Sequence, residues 1–157
     1  MKMKTKLVLF IVFSALLANS RVTAQDPDFY IYLCFGQSNM EGAARIEPQD
    51  TTVDARFIVM ETLDCPNLGR IKGGWYPAIP PLCRCRTGLS PADYFGRTMV
   101  ENLPKNIRVG VINVSIGGCK IELFDKDNYQ AYVSTAPGWM LNMMKDYDGN
   151  PYARLVE

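Results

Sequence analysis

The chain has 157 residues, 48% of them hydrophobic, with 17 basic residues, 16 acidic residues and no histidine. That length suits one domain with its own core, burying roughly two-thirds of the surface the unfolded chain exposes. Near-neutral charge with no low-complexity tract and no basic run beyond the N-terminus excludes a nucleic-acid or anionic-lipid binder held by electrostatics.

Lys2, Lys4 and Lys6 precede the apolar stretch Leu7 to Ala18, and a small-residue exit follows at Val22-Thr23-Ala24. The apolar stretch is about twelve residues, short of the roughly 20 that a membrane-spanning helix needs. Residues 1–24 are therefore expected to be a secretory signal peptide cleaved before Gln25, giving a secreted or periplasmic product without membrane contact. Residues 25–157 keep 13 basic and 16 acidic residues, a net charge of −3, which suits a small neutral or mildly polar substrate. They are expected to form one domain.

From Phe29 to Phe35 the sequence is continuously aromatic, β-branched or apolar and stops at Gly36. Such a run predicts a strand buried on both faces, as in a parallel sheet covered by helices. Arg56 to Met60 predicts a second strand. Asp64 to Leu89 holds Pro66, Pro77, Pro80 and Pro81, a turn at Gly73-Gly74-Trp75-Tyr76 and three cysteines, and is predicted to be a long excursion without regular structure. In an exported protein Cys65 is expected to pair with Cys83 or Cys85, a closure worth about 3 kcal/mol in the chain-entropy model. A zinc site is disfavoured because Cys83-Arg84-Cys85 has the wrong spacing and no histidine can complete it. Cys34 is expected to be a buried free thiol.

Ser90 as cap, Pro91 at the first helical position and Asp93 in the first turn predict a helix running to about Asn102. Ala92, Phe95, Met99, Val100 and Leu103 recur at helical spacing and are its expected core contacts. Ile107 to Ile116 predicts a further strand ending at Gly117-Gly118, and strand, helix, strand in that order predict a parallel α/β sheet. Asn113-Val114-Ser115 matches a glycosylation acceptor but lies inside the predicted buried strand. Asn150-Pro151 predicts another helix start.

Ligands of open α/β sheets bind beyond the carboxyl ends of strands, and both glycine turns lie there. A helix beginning near Ser38 would aim backbone N–H groups at a bound oxyanion, and Gly117 or Gly118 would bring a second donor to the same point. By itself, a serine between glycines after a strand is more often an ordinary turn than a nucleophile.

Three stretches in order, "GQSNMEG", "GLSPADYFGRTMVENLP" and "VGVINVSIGGCKIELF", resemble the sialate O-acetylesterase and acetylxylan esterase group of the SGNH hydrolases. The resemblance covers most of residues 25–157, and its first motif differs from the G-x-S-x-G elbow of α/β-hydrolases. It implies a three-layer, flavodoxin-like α/β fold and a serine esterase that removes acetyl groups from a carbohydrate such as sialic acid or xylan, with no metal or organic cofactor. On this resemblance Ser38 is the nucleophile and an oxyanion donor, with the second donor from Gly117 or Gly118. Gln37 and Asn39 either hydrogen-bond the turn or touch substrate, and Trp75 and Tyr76 are candidates for stacking on a sugar.

The family's third donor turn and its late Asp-x-x-His have no counterpart here, so the Ser-His step cannot occur within these residues. The expectation is the N-terminal part of an esterase, inactive alone and partnered by its missing C-terminal portion. Two alternatives stand beside it: a carbohydrate-binding remnant without chemistry, and a Ser-Lys pair using Lys120, which otherwise is solvated or pairs with Glu122.

Overall fold

The computed structural model describes residues 25–156, so the expected signal peptide lies outside the described residues. Four strands form one sheet in the order β1-β4-β2-β3: β1 is Phe29–Gly36, β2 Phe57–Met60, β3 Trp75–Pro77 and β4 Arg108–Ser115. The first, second and fourth strands are mutually parallel, and β3 pairs antiparallel with β2. The helices are α1 (Ser38–Glu41), α2 (Pro91–Asn102), α3 (Tyr129–Val133), α4 (Gly138–Met144) and α5 (Pro151–Val156), with short 3-10 turns between. The chain is thus α/β with a mostly parallel sheet.

The α2 helix begins where predicted because Ser90 and Asp93 cap each other, the Ser90 N–H donating to Asp93 Oδ2 at 2.8 Å. Burial pushes the Asp93 carboxyl above its ordinary value, against the pull of those hydrogen bonds. Gly96 lets the helix lie on β2: a Cβ there would sit 2.0 Å from the Phe57 ring. Phe57, Val59, Val100, Val109 and Val111 then share one buried cluster. Each such side chain contributes about 1.5–3 kcal/mol of burial. Val114 and Ile116 instead join Leu123, Met140, Met144, Tyr147 and Leu155 in a second cluster. The alternation of a strand thus feeds two cores from β4. At α5, Asn150 caps as expected, its Oδ1 accepting from the Ala153 N–H at 3.0 Å.

Three expectations are corrected. β1 is not buried on both faces; it is the sheet edge, and Tyr30, Ile31, Leu33 and Phe35 are 41 to 48% exposed. The central place goes to β4, which is buried from Val109 to Ser115. Phe95, expected in the core, is exposed, while Ala92 and Val100 are buried as predicted. The excursion from Asp64 to Leu89 is not without regular structure, because β3 folds back onto β2 within it. Its disulfide joins Cys65 to Cys85, with the Cα atoms 5.2 Å apart. Cys83 stays a buried free thiol, as does Cys34.

Candidate active site

β1 and β4 run in parallel register along all eight residues, so Gly36 lies beside Ser115 and their carboxyl-end turns are neighbours. The Gly36 carbonyl ties them together, accepting from the Ile116 N–H at 3.0 Å and from the Cys119 thiol at 3.4 Å. Beyond Gly36 the chain turns at Gln37 into the single turn of α1, and Ser38 is its first residue. Gly42 closes that turn at φ 94°, with the Gly88 carbonyl 2.5 Å from where a Cβ would stand. Four residues are too few for a sizeable helix dipole, so the turn offers local N–H groups only.

The two glycines of the other turn differ. A Cβ on Gly117 would lie 3.8 Å from Ser38 Cβ and 2.8 Å from Glu41 Oε2. Gly117 therefore faces Ser38, and only its missing side chain leaves room for the Glu41 carboxylate. Gly118, at φ 75°, instead backs onto the Trp139 ring.

Beneath Ser38, three polar groups that sequence reasoning missed lock the turn. Asn113, fully buried in β4, donates from Nδ2 to the Met40 carbonyl at 2.9 Å and accepts from Ser115 Oγ at 2.8 Å. Glu41 is almost fully buried and forms an ion pair with Arg84, whose other guanidinium nitrogen reaches Asp146 at 3.3 Å. A polar residue inside an apolar strand was the legible signal for Asn113. Nothing in the sequence linked Glu41 to Arg84, 43 residues away.

The remaining candidates separate. Gln37, Ser38 and Asn39 are exposed. Among the described residues the Gln37 and Asn39 side chains make no hydrogen bond to the turn, so they do not brace it as one reading expected. Trp75 is not brought to Ser38: its ring packs edge-on against Phe29 at 5.0 Å and over Gly110, near the start of β1 and β4. The cause is the place of β3 at the sheet edge opposite β1: Trp75 pairs with Met60 of β2, and its indole lies back across the sheet onto Gly110 and Phe29. Tyr76 is used locally, its hydroxyl accepting from the Ile71 N–H at 3.0 Å. The aromatic beside the site is Trp139, half exposed. Lys120 is exposed and pairs with neither Ser38 nor Glu122; its backbone N–H donates to the Tyr132 hydroxyl at 3.1 Å.

Cys83 sits beneath the site, its thiol 3.5 Å from the Tyr147 hydroxyl and 3.7 Å from the Ser115 carbonyl. Burial pushes its pKa up to about 11, the opposite of a reactive thiolate. Among the described residues no group of three or more His, Cys, Asp or Glu side chains could hold a metal ion, and no helix is long and apolar enough to cross a membrane. A cavity of about 460 Å³ between Leu63, Arg84, Asp146 and Arg154 does not reach Ser38. An open cavity of about 520 Å³ begins at Glu41, one turn from Ser38.

Residues 28–147 match the family model described as carbohydrate esterase, sialic acid-specific acetylesterase. Among solved structures, a protein from Arabidopsis thaliana is similar at 18% identity and a TM-score of 0.49, over 69% of this chain and 50% of that one. The chain thus spans about half the length of that protein.

Proposed function

The chain belongs to the sialic acid-specific acetylesterase family of carbohydrate esterases, and on that premise we propose that it carries the nucleophile half of an exported serine O-acetylesterase of SGNH type. Ser38 Oγ attacks the acetyl carbonyl, the sugar hydroxyl departs, and water releases acetate from the acetyl-serine. The N–H groups of Ser38 and Gly117 receive the developing oxyanion, a contribution of about 3 to 4 kcal/mol per donor in a well-studied protease. The observation that carries the reading is the meeting of the two turns, with Gly117 facing Ser38 at the carboxyl ends of adjacent parallel strands. Gly118 is the weaker donor candidate because Trp139 covers it. Gln37 and Asn39, exposed beside Ser38, are positioned to touch the sugar.

These 157 residues contain no histidine, so a histidine base for Ser38 would come from outside them. An added base tests this directly. The full chain is expected to release acetate from an O-acetylated sialic acid at the background rate, and imidazole is expected to raise that rate only when Ser38 is present. An imidazole effect equal in wild type and Ser38→Ala would refute the assignment. Turnover without imidazole, lost in Ser38→Ala, would show instead that a base lies within the chain.

The carbohydrate-binding reading without chemistry is favoured by one observation: among the described residues the Ser38 hydroxyl makes no hydrogen bond to a titratable side chain, and the nearby Glu41 carboxylate is already paired with Arg84. It predicts affinity for acetylated glycans with no imidazole response.

A further inference from the structure

The chain has two tryptophans. Trp75 is spent on packing against Phe29 and Gly110. Trp139 is 53% exposed. A single exposed apolar side chain means little by itself; Trp139 stands out by how it is held and by what lies beside it.

Met140, the next residue on α4, is buried in the second core cluster and anchors the helix there. The Tyr132 hydroxyl of α3 donates to Met140 Sδ at 3.4 Å and accepts the Lys120 N–H at 3.1 Å, so the helix carrying Trp139 is tied to the chain two residues beyond Gly118. The indole itself meets Gly118, where a Cβ would stand 2.8 Å from the six-membered ring. Gly118 has φ 75°, a conformation that favours glycine, and its missing side chain leaves the room that the ring takes. The indole thus rests on bare backbone, in one place, before any ligand arrives.

Gly117 faces the other way, its Cβ position 3.8 Å from Ser38 Cβ. Consecutive Cα atoms are about 3.8 Å apart, so the two glycines alone separate Ser38 from the indole, roughly the span of one sugar ring with its acetyl arm. Ser38 and Gly118 are exposed, Gly117 is half-buried, and neither glycine raises a side chain between hydroxyl and ring. An open strip therefore runs from the Ser38 hydroxyl over backbone to an aromatic surface.

Resting on the esterase reading of Ser38, we infer that Trp139 is a specificity-determining residue: its indole is the platform on which the ring of the acetylated sugar stacks while the acetyl group lies between Ser38 and Gly117. The platform selects for a ring. It gives a cyclic sugar an advantage over an acyclic acetate, whatever charge either carries, because a flat apolar surface rewards contact with the C–H face of a pyranose and offers a short flexible chain little. A fixed ring also spares the ordering cost that a mobile one adds on binding.

The test is calorimetric titration of the full chain with 9-O-acetyl-N-acetylneuraminic acid and with 1-O-acetylglycerol, which carries a like acetylated chain end without the ring. Trp139→Ala is expected to weaken the sugar about fivefold to tenfold and to leave acetylglycerol unchanged, with Trp139→Phe keeping most of the sugar's affinity. In Trp75→Phe, where Trp139 is the one remaining tryptophan, saturation with the sugar is expected to change the indole emission. An unchanged emission overturns the platform, and it does so even if Trp139→Ala fails to fold. Sugar binding that is unaltered in a folded Trp139→Ala overturns it too and leaves the esterase reading intact. Equal weakening of both probes shows that Trp139 only supports the glycine turn, which also overturns the platform. If neither probe binds a wild-type chain whose circular dichroism shows it folded, the esterase reading falls and this inference with it.

Discussion

β1 and β4 are both eight-residue strands, both rich in apolar and aromatic or β-branched residues, and hydrogen-bonded to each other along their whole length. Yet β4 is buried from Val109 to Ser115, while four of the side chains on β1 are 41 to 48% exposed. The difference lies in neighbours. β4 has a strand on each side and helices α2 and α5 packed against it, whereas among the described residues β1 has one strand partner, and Ile31 and Leu33 are 44 and 48% exposed. An apolar run reports that burial is available, and the topology decides whether it is supplied.

The largest effect expected from this contrast comes from a charge. Val111→Asp places an unpaired carboxylate in the middle of β4 and is expected to cost more than about 4 kcal/mol, enough to leave the chain unfolded by circular dichroism. Leu33→Asp, on the edge strand, is expected to cost about 1 kcal/mol in a urea titration. If both substitutions unfold the chain alike, β1 is covered in solution and the contrast is broken.

Next comes the polar lock between the strands. Asn113→Ala strands the Met40 carbonyl and the Ser115 hydroxyl and is expected to cost about 2 kcal/mol, with Asn113→Asp also destabilising because it loses the donor to Met40. A neutral result in both would mean that the turn at Ser38 is held by Glu41 and Arg84 alone.

A smaller effect follows from pH. The Cys83 thiol, pressed against the end of β4, is raised by burial from 9.0 to about 11. The folded state therefore holds its proton longer than the unfolded state. Its contribution is complete below pH 9 and is lost as pH rises from 9 through 11, by about 1 kcal/mol at pH 10. The urea midpoint should fall across that window in the wild type and fall less in Cys83→Ala; equal slopes would count against the burial of this thiol.

The smallest expected change is Leu33→Ala, under about 1 kcal/mol, because the side chain is already half exposed. A cost of 2 kcal/mol or more would show that its open face is occupied.

How far the sequence reached differs from element to element. α2 was legible to the residue, since Ser90, Pro91 and Asp93 are local signals acting within one turn. β4 and its glycine turn were legible for the same reason. The excursion misled because its prolines concealed β3, a strand that exists only by pairing with β2. Trp75 was a reasonable sugar-stacking candidate from composition, but that pairing carries it onto Phe29. The site itself was half legible: Ser38 and the glycine turn stand out as motifs, whereas Glu41, Arg84 and Asn113 become partners only when distant segments meet.

What the sequence determined by itself was therefore the set of pieces: the strands, the capped helix, the serine turn and the glycine turn, each written in contacts among residues close along the chain. Tertiary structure alone decided that Gly117 rather than Gly118 faces Ser38, that Cys85 rather than Cys83 bonds to Cys65, and that β1 rather than β4 is left at the edge. Each of these outcomes depends on backbone register and packing between residues far apart in sequence, where local propensity carries no information.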